Sequence, residues 1–139
     1  MAGLNSFVLD SFALIGFLEN EKFASRIERL LKQARKGDAL VYLHALHLGE
    51  VYYITLREQS QNIADLAFAR IKAFPVKYID IIDDELLRKA AWLKANYPIS
   101  YADAFAASMA IIHKSTLLTG DPEFKKLGKK EAIAIEWLT

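Results

Sequence analysis

The chain has 139 residues, 53% of them hydrophobic and 25% charged, and no cysteine. That length suits one domain with an adequate apolar core, and the missing thiols exclude disulfide frameworks, thiolate zinc sites and cysteine nucleophiles. Lys and Arg number 18 against 17 Asp and Glu, so bulk positive charge is excluded as a way of holding nucleic acid, which would have to meet local patches.

Residues 6–9 form a short apolar run ending at Asp10 and read as a buried strand. A stretch over 12–18 follows, then a helix over 23–34, whose Phe23, Ile27, Leu30, Leu31 and Ala34 recur at the three- and four-residue spacing of an amphipathic helix. Gly37-Asp38 punctuates the chain, and 39–43 reads as a second strand. Residues 44–57 are apolar around most of the circumference, which predicts a buried helix. A helix over 63–74 stops at Pro75, and 76–82 is a third strand candidate. Helices over 84–95 and 100–113 precede a fourth strand over 116–119. A short helical turn is expected after Pro122, and the alternation over 132–137 predicts an edge strand. Strands separated by helices imply βαβ units, hence a three-layer α/β/α domain over 1–139 with a parallel sheet of about four or five strands. No run approaches the roughly 18 apolar residues of a membrane span, and the N-terminus has no signal-peptide pattern. A cytoplasmic protein without membrane contact is expected.

Ligands of open parallel sheets bind outside the carboxyl ends of the strands. Asp10 ends the first strand and Asp121 lies two residues past the fourth. Asp103 falls in the first turn of the helix that leads into the fourth strand, so it returns to the same edge. Glu50 falls in the second turn of the helix leaving the second strand. Four carboxylates remote in sequence are thus predicted to converge. Packed without cations they would repel, and no Lys or Arg adjoins any of them. Hard divalent ions accept oxygen ligands and suit phosphodiester hydrolysis. Each aspartate also has a structural reading: Asp10 as an N-cap, Ser100 with Asp103 as a capping box, and Asp121 as a cap before Pro122. Glu50, between Leu46 and Ile54, needs a partner on any reading, because a lone buried charge is costly.

The segments Phe7-Val8-Leu9-Asp10-Ser11, Leu48-Gly49-Glu50-Val51-Tyr52-Tyr53, Tyr101-Ala102-Asp103-Ala104-Phe105-Ala106-Ala107 and Leu117-Leu118-Thr119-Gly120-Asp121-Pro122-Glu123-Phe124 together resemble the signature of the PIN domain, in particular the single-domain toxins of VapC type. The resemblance implies a Mg²⁺- or Mn²⁺-dependent endoribonuclease, commonly a homodimer, acting on an RNA substrate and held inactive by a cognate antitoxin. By position, Asp10, Glu50, Asp103 and Asp121 would form the metal-binding catalytic site. Ser11 stands where the family has a hydroxyl near the first aspartate, and Thr119 where a hydroxyl supports the last. Phe12 departs from the pattern, occupying a position where Ser and Asn are frequent.

Competing constellations are weaker. His44, His47 and Glu50 follow i, i+3, i+6 spacing, not the H-E-x-x-H pattern of zinc hydrolases, and would splay around the helix. His44 is expected at the helix entrance, His47 on its flank, and His113 at a helix C-terminus that favours positive charge. The glycines form no phosphate-cradling motif. Arg26, Arg29, Lys32, Arg35 and Lys36 on one helix, and Lys125, Lys126, Lys129 and Lys130 near the C-terminus, are either nucleic-acid patches or solvated faces. Tyr52, Tyr53, Phe68, Phe74, Trp92 and Tyr97 are either core or a dimer surface. The alternative function is a non-catalytic RNA-binding or protein-interaction module of the same fold.

Overall fold

The computed structural model describes residues 5–139. The chain runs β1 (Asn5–Leu9), α1 (Ser11–Leu18), α2 (Ala24–Arg35), β2 (Ala39–His44), α3 (Ala45–Glu58), α4 (Gln61–Lys72), β3 (Lys77–Ile79), α5 (Asp84–Asn96), α6 (Tyr101–Ile112), β4 (Thr116–Thr119), α7 (Phe124–Lys130) and β5 (Ile135–Trp137). The five strands form one sheet in the order β3-β2-β1-β4-β5, and every neighbouring pair is parallel. This is the three-layer parallel architecture expected from the alternation of elements.

Strand alternation sends neighbouring residues to opposite layers. Val8 and Leu117 pack with α5, α6 and α7, through residues such as Ala90, Leu93, Phe105, Met109, Phe124 and Leu127. Leu9 and Leu118 face the other way and pack with Leu14, Ile27, Leu30, Leu48 and Ile71 of α1 to α4. Each helix meets the sheet along its apolar stripe. In α2 that stripe is Ala24, Ile27, Leu30 and Leu31, while Lys32 and Arg35 turn to solvent. Gly37, with φ +84°, makes the turn into β2, a left-handed conformation that glycine adopts without steric cost.

Two expectations are corrected. The third strand is not 76–82 but only Lys77–Ile79. Asp80 ends the apolar alternation, and Ile81 and Ile82 leave the sheet with exposed side chains. The Ile81 carbonyl instead accepts from His44 Nε2 at 3.1 Å. Helix α3 is not buried all round either. His47, Leu48, Val51 and Thr55 face the core, whereas Tyr53 and Leu56 lie exposed. Its apolar circumference exceeds what this chain covers, and α4 adds the exposed Ile63, Leu66 and Phe68 to the same hairpin.

The order of the strands determines where a site can form. The chain moves outward from β1 to β2 and β3, then crosses to the far side of β1 for β4 and β5. The reversal falls between β1 and β4. Their carboxyl ends diverge into α1 on one layer and the loop before α7 on the other, opening a crevice there.

Candidate metal centre

Asp10 directly follows β1 at that reversal. Its backbone is extended, and Oδ1 accepts the Ala13 N–H at 2.9 Å, capping α1. Cap and ligand are therefore compatible readings, because the cap uses Oδ1 alone. Asp10 is 2% exposed. Burial pushes its pKa up to about 7; the Thr119 hydroxyl and the Ala13 amide oppose the rise, and the charges of Asp121 and Glu50 add to it.

Asp103 lies in the first turn of α6, where Ser100 Oγ accepts its N–H at 3.0 Å. The capping box is one-sided: among the described residues, no return bond ties the Asp103 carboxylate to the Ser100 amide. Burial, then the charges of Asp121, Asp10, Glu50 and Glu123, push Asp103 up to about 8. Glu50 projects from the second turn of α3, half-buried, with Oε1 enclosed and lacking a hydrogen-bond partner. Burial and the Asp121 charge raise its pKa, and the Ser11 hydroxyl offsets part of that rise.

Asp121 follows β4 in a tight turn. Its N–H donates to Thr119 Oγ1 at 3.1 Å, and its Oδ1 accepts the Glu123 N–H at 2.9 Å. The expected cap before Pro122 is corrected: α7 begins at Phe124, after Glu123. That turn brings in a residue the sequence reading missed. Carboxylate oxygens of Asp103, Asp121 and Glu123 all lie within 4.8 Å of one another. The available signal was the pair Asp121 and Glu123 straddling Pro122 in a loop at the carboxyl edge.

The four predicted acids thus influence one another across the same crevice, and Glu123 joins them. Among the described residues the ion pairs are Arg26 with Glu136 and Lys32 with Glu28, and neither touches these acids. Partial relief comes from the N-termini of α1 and α6, whose dipoles favour negative charge beside Asp10 and Asp103. The donor set contains only oxygen, one oxygen is orphaned and enclosed, and among the described residues no side-chain cation pairs with these acids. Those features fit a hard divalent ion.

The walls explain the departure at Phe12. Its ring stacks on Phe23 at 5.6 Å and lies over Gly120, where a Cβ would come within 2.3 Å of the ring and 2.6 Å of the Leu138 carbonyl. Any larger residue at 120 would have to displace Phe12 or the backbone. Phe12 is 40% exposed.

The histidines are occupied elsewhere. His44 caps α3, with Nδ1 accepting the Leu46 N–H at 3.0 Å and Nε2 donating to Ile81. His47 is not on an exposed flank but wholly buried, held near pKa 4 by burial, and Nε2 donates to the Ala102 carbonyl at 2.9 Å. It ties the helix carrying Glu50 to the helix carrying Asp103. His113 is the C-cap residue of α6 as expected, but burial and the charge of Lys77 lower its pKa, and its ring stacks on Tyr42 at 4.1 Å. The expected positive charge at that helix end is therefore disfavoured.

The basic helix α2 is partly committed to structure, because Arg26 grips Glu136 through Nε at 2.7 Å and Nη2 at 2.9 Å. Of the six aromatics considered for an interface, Tyr53, Phe68 and Trp92 are exposed. Phe74 packs edge-on against Phe17, and the Tyr52 and Tyr97 hydroxyls donate to Asp65 and Glu131. No helix among the described residues is long and apolar enough to cross a membrane.

Comparisons with known proteins agree with this geometry. No curated protein shows significant sequence similarity to the chain. Solved structures share its fold despite low identity. VapBC2 from Rickettsia felis, bound to a DNA fragment from its promoter, is similar with a TM-score of 0.74 at 15% identity, over 96% of this chain and 99% of that one. VapBC-1 from nontypeable Haemophilus influenzae gives 0.69 at 16% identity, over 95% and 97%. VapC20 of Mycobacterium tuberculosis, a toxin that cleaves the sarcin-ricin loop, gives 0.65 at 18% identity, over 89% and 95%. The model of the PIN domain matches residues 7–130, a span that holds both sides of the sheet reversal, the Asp103, Asp121 and Glu123 group, and Asp10 and Glu50. With its parallel sheet, its acidic crevice and that match, this chain belongs to the PIN domain family.

Proposed function

We propose that this chain, acting as one domain, is a Mg²⁺- or Mn²⁺-dependent endoribonuclease and the toxin of a VapBC-type toxin–antitoxin pair. The observation that carries the reading is the group of carboxylates at the sheet reversal, with no ion-paired side-chain cation among the described residues. Asp10, Glu50, Asp103 and Asp121 would hold the metal, and Glu123 is placed to join them. A bound divalent ion supplies water activation at neutral pH and positive charge for the phosphoryl transition state.

The remaining work falls to the chain itself. The Ala13 amide holds Asp10 Oδ1, so the other carboxylate oxygen is presented in a defined direction. The Ser11 hydroxyl favours the ionised form of Glu50, and the Thr119 hydroxyl does the same for Asp10 while receiving the Asp121 amide. The His47 link to Ala102 keeps α3 and α6 at a constant separation. These supports hold the ligands near a productive geometry before substrate arrives. No covalent nucleophile is required.

Two partners complete the reading. The exposed Tyr53, Leu56, Ile63 and Leu66 of α3 and α4 supply apolar surface of the kind that marks protein contacts. That surface supports a homodimer, an antitoxin or both, and similar solved structures are VapBC complexes. The test is cleavage of RNA by the purified chain with Mn²⁺ or Mg²⁺, beside the Asp103→Asn variant. Metal-dependent cutting lost in the variant is expected; equal cutting by both overturns the metal-site mechanism.

A further inference from the structure

Glu50 and Asp103 come to the metal centre from opposite layers of the domain. Helix α3, which carries Glu50, packs in the layer of Leu9 and Leu118, and α6, which carries Asp103, packs in the layer of Val8 and Leu117. The strands they adjoin in the chain, β2 and β4, do not pair, because β1 lies between them. Each strand is also rotated against the next by about 20–25°, so strand pairing sets the distance between the two helices only indirectly. Among the described residues one hydrogen bond joins them: His47 Nε2 donates to the Ala102 carbonyl at 2.9 Å. His47 stands three residues before Glu50, close to one helical turn, and Ala102 shares its peptide bond with Asp103.

Stability alone does not explain an imidazole at this position. His47 is wholly buried, and its Nδ1 has no hydrogen-bond partner among the described residues. An orphaned buried acceptor costs stability that an apolar side chain of similar size would not. The Ala102 carbonyl lies inside α6 and is already available to the helix ladder, so it does not need His47 either.

We propose that His47 is a positioning residue of the metal centre: by gripping the Ala102 carbonyl, its Nε2–H sets the gap between the Glu50 and Asp103 carboxylates and thereby the affinity for the divalent ion. The proposal rests on the metal-centre reading above and adds to it a residue outside the acid group. An ion shared by Glu50 and Asp103 needs their oxygens held to within about 0.5 Å, a tolerance that one short bond between the helices can enforce. The bond requires a particular tautomer. Burial keeps the ring neutral, and a carbonyl can only accept, so the single ring proton sits on Nε2.

The experiment titrates Mn²⁺ into metal-free protein and follows unbound Mn²⁺ by its electron paramagnetic resonance signal. His47→Leu, which keeps the bulk and loses the donor, is expected to bind Mn²⁺ about tenfold more weakly, while its melting temperature in chelator stays level or rises. His47→Gln, whose side-chain amide can present an N–H where Nε2 stood, is expected to restore most of that affinity. A purely structural role would lower the melting temperature of His47→Leu in chelator and leave the Mn²⁺ affinity of the folded protein unchanged. That result overturns the proposal, and so does an equal loss of affinity in both variants. Should His47→Leu fail to fold, nitrogen-15 NMR of the parent decides: Nε2 protonated and Nδ1 bare is expected, and the opposite tautomer overturns the proposal. Asp103→Asn separates the two readings. If Mn²⁺ affinity depends on Asp103 yet His47→Leu binds as the parent does, the positioning role alone fails. If Asp103→Asn binds Mn²⁺ as tightly as the parent, the metal-centre reading fails, and the positioning role with it.

Discussion

Glu136, on the edge strand β5, and Asp103, buried at the start of α6, are both carboxylates, yet their surroundings treat them in opposite ways. The Arg26 guanidinium holds Glu136 with two hydrogen bonds and lowers its pKa below the usual carboxylate range. Asp103 is buried among other acids and pushed up to about 8. Among the described residues, the fold thus supplies a cation to the acid that fastens α2 to β5 and none to the acids at the sheet reversal. A fold optimised only for stability would pair both. Leaving one group unpaired creates demand for an external cation, and perturbed carboxylates in a crevice are characteristic of functional sites.

Neutralising the unpaired group breaks the contrast most severely. Asp103→Asn and Asp10→Asn are expected to lower metal-dependent RNA cleavage by about 10²–10³-fold, the scale of losing a group that stabilises developing charge. Above about pH 8, where both groups are ionised, the same substitutions should raise the melting temperature of metal-free protein, since each removes a repelled anion; Asn caps α1 about as well as Asp does. Cleavage kinetics and thermal melts in chelator check the two halves.

The pH dependence sharpens the comparison through its sign. Asp10 and Asp103 bind protons more tightly folded than unfolded, because their pKa values rise from 3.8 to about 7 and about 8. Their contribution to stability is present below 3.8 and lost as pH rises through about 8, so metal-free protein should weaken over that window. Mn²⁺ competes with those protons and should raise the melting temperature more at pH 8 than at pH 5. Glu136 acts oppositely: its contribution exists above the ordinary carboxylate range and disappears on acidification. Melting curves across pH with and without Mn²⁺ decide this, and an ion effect independent of pH would refute it.

Removing the cation from the paired group gives a smaller effect. Arg26→Ala should cost about 1 kcal/mol, or about 4 °C in melting temperature, for a partly buried two-point contact. Cleavage should not change. Lys32→Ala, at an exposed pair with Glu28 at 3.1 Å, should cost less than about 0.5 kcal/mol by denaturant unfolding. A larger loss at Lys32 than at Arg26 would mean that surface charge, and not the gripped pair, stabilises α2.

Much of this arrangement was legible in the chain. Period-two and period-3.6 patterning located the strands, and the helices other than α1, within a few residues, since those patterns follow from which faces meet the core. Asp10 beside a buried strand and Asp103 beside the Ser100 cap were placed at one sheet edge because a parallel βαβ arrangement leaves little freedom. The errors occurred where local pattern carries no information about neighbours. Ile81 and Ile82 read as strand, yet β3 ends first. His47 read as a flank residue, yet its partner is the Ala102 carbonyl, 55 positions away.

Residue order alone determined the layers and the parallel alternation and nominated four candidate acids, because backbone periodicity and burial are properties of short windows. Tertiary structure decided which charges meet and which are relieved. It brought Glu123 to Asp103, gave Arg26 to Glu136, laid Phe12 over Gly120 and left Tyr53 and Leu56 of α3 exposed. Electrostatic and steric energies depend on distance in space, and that distance exists only once the strands have taken the order β3-β2-β1-β4-β5.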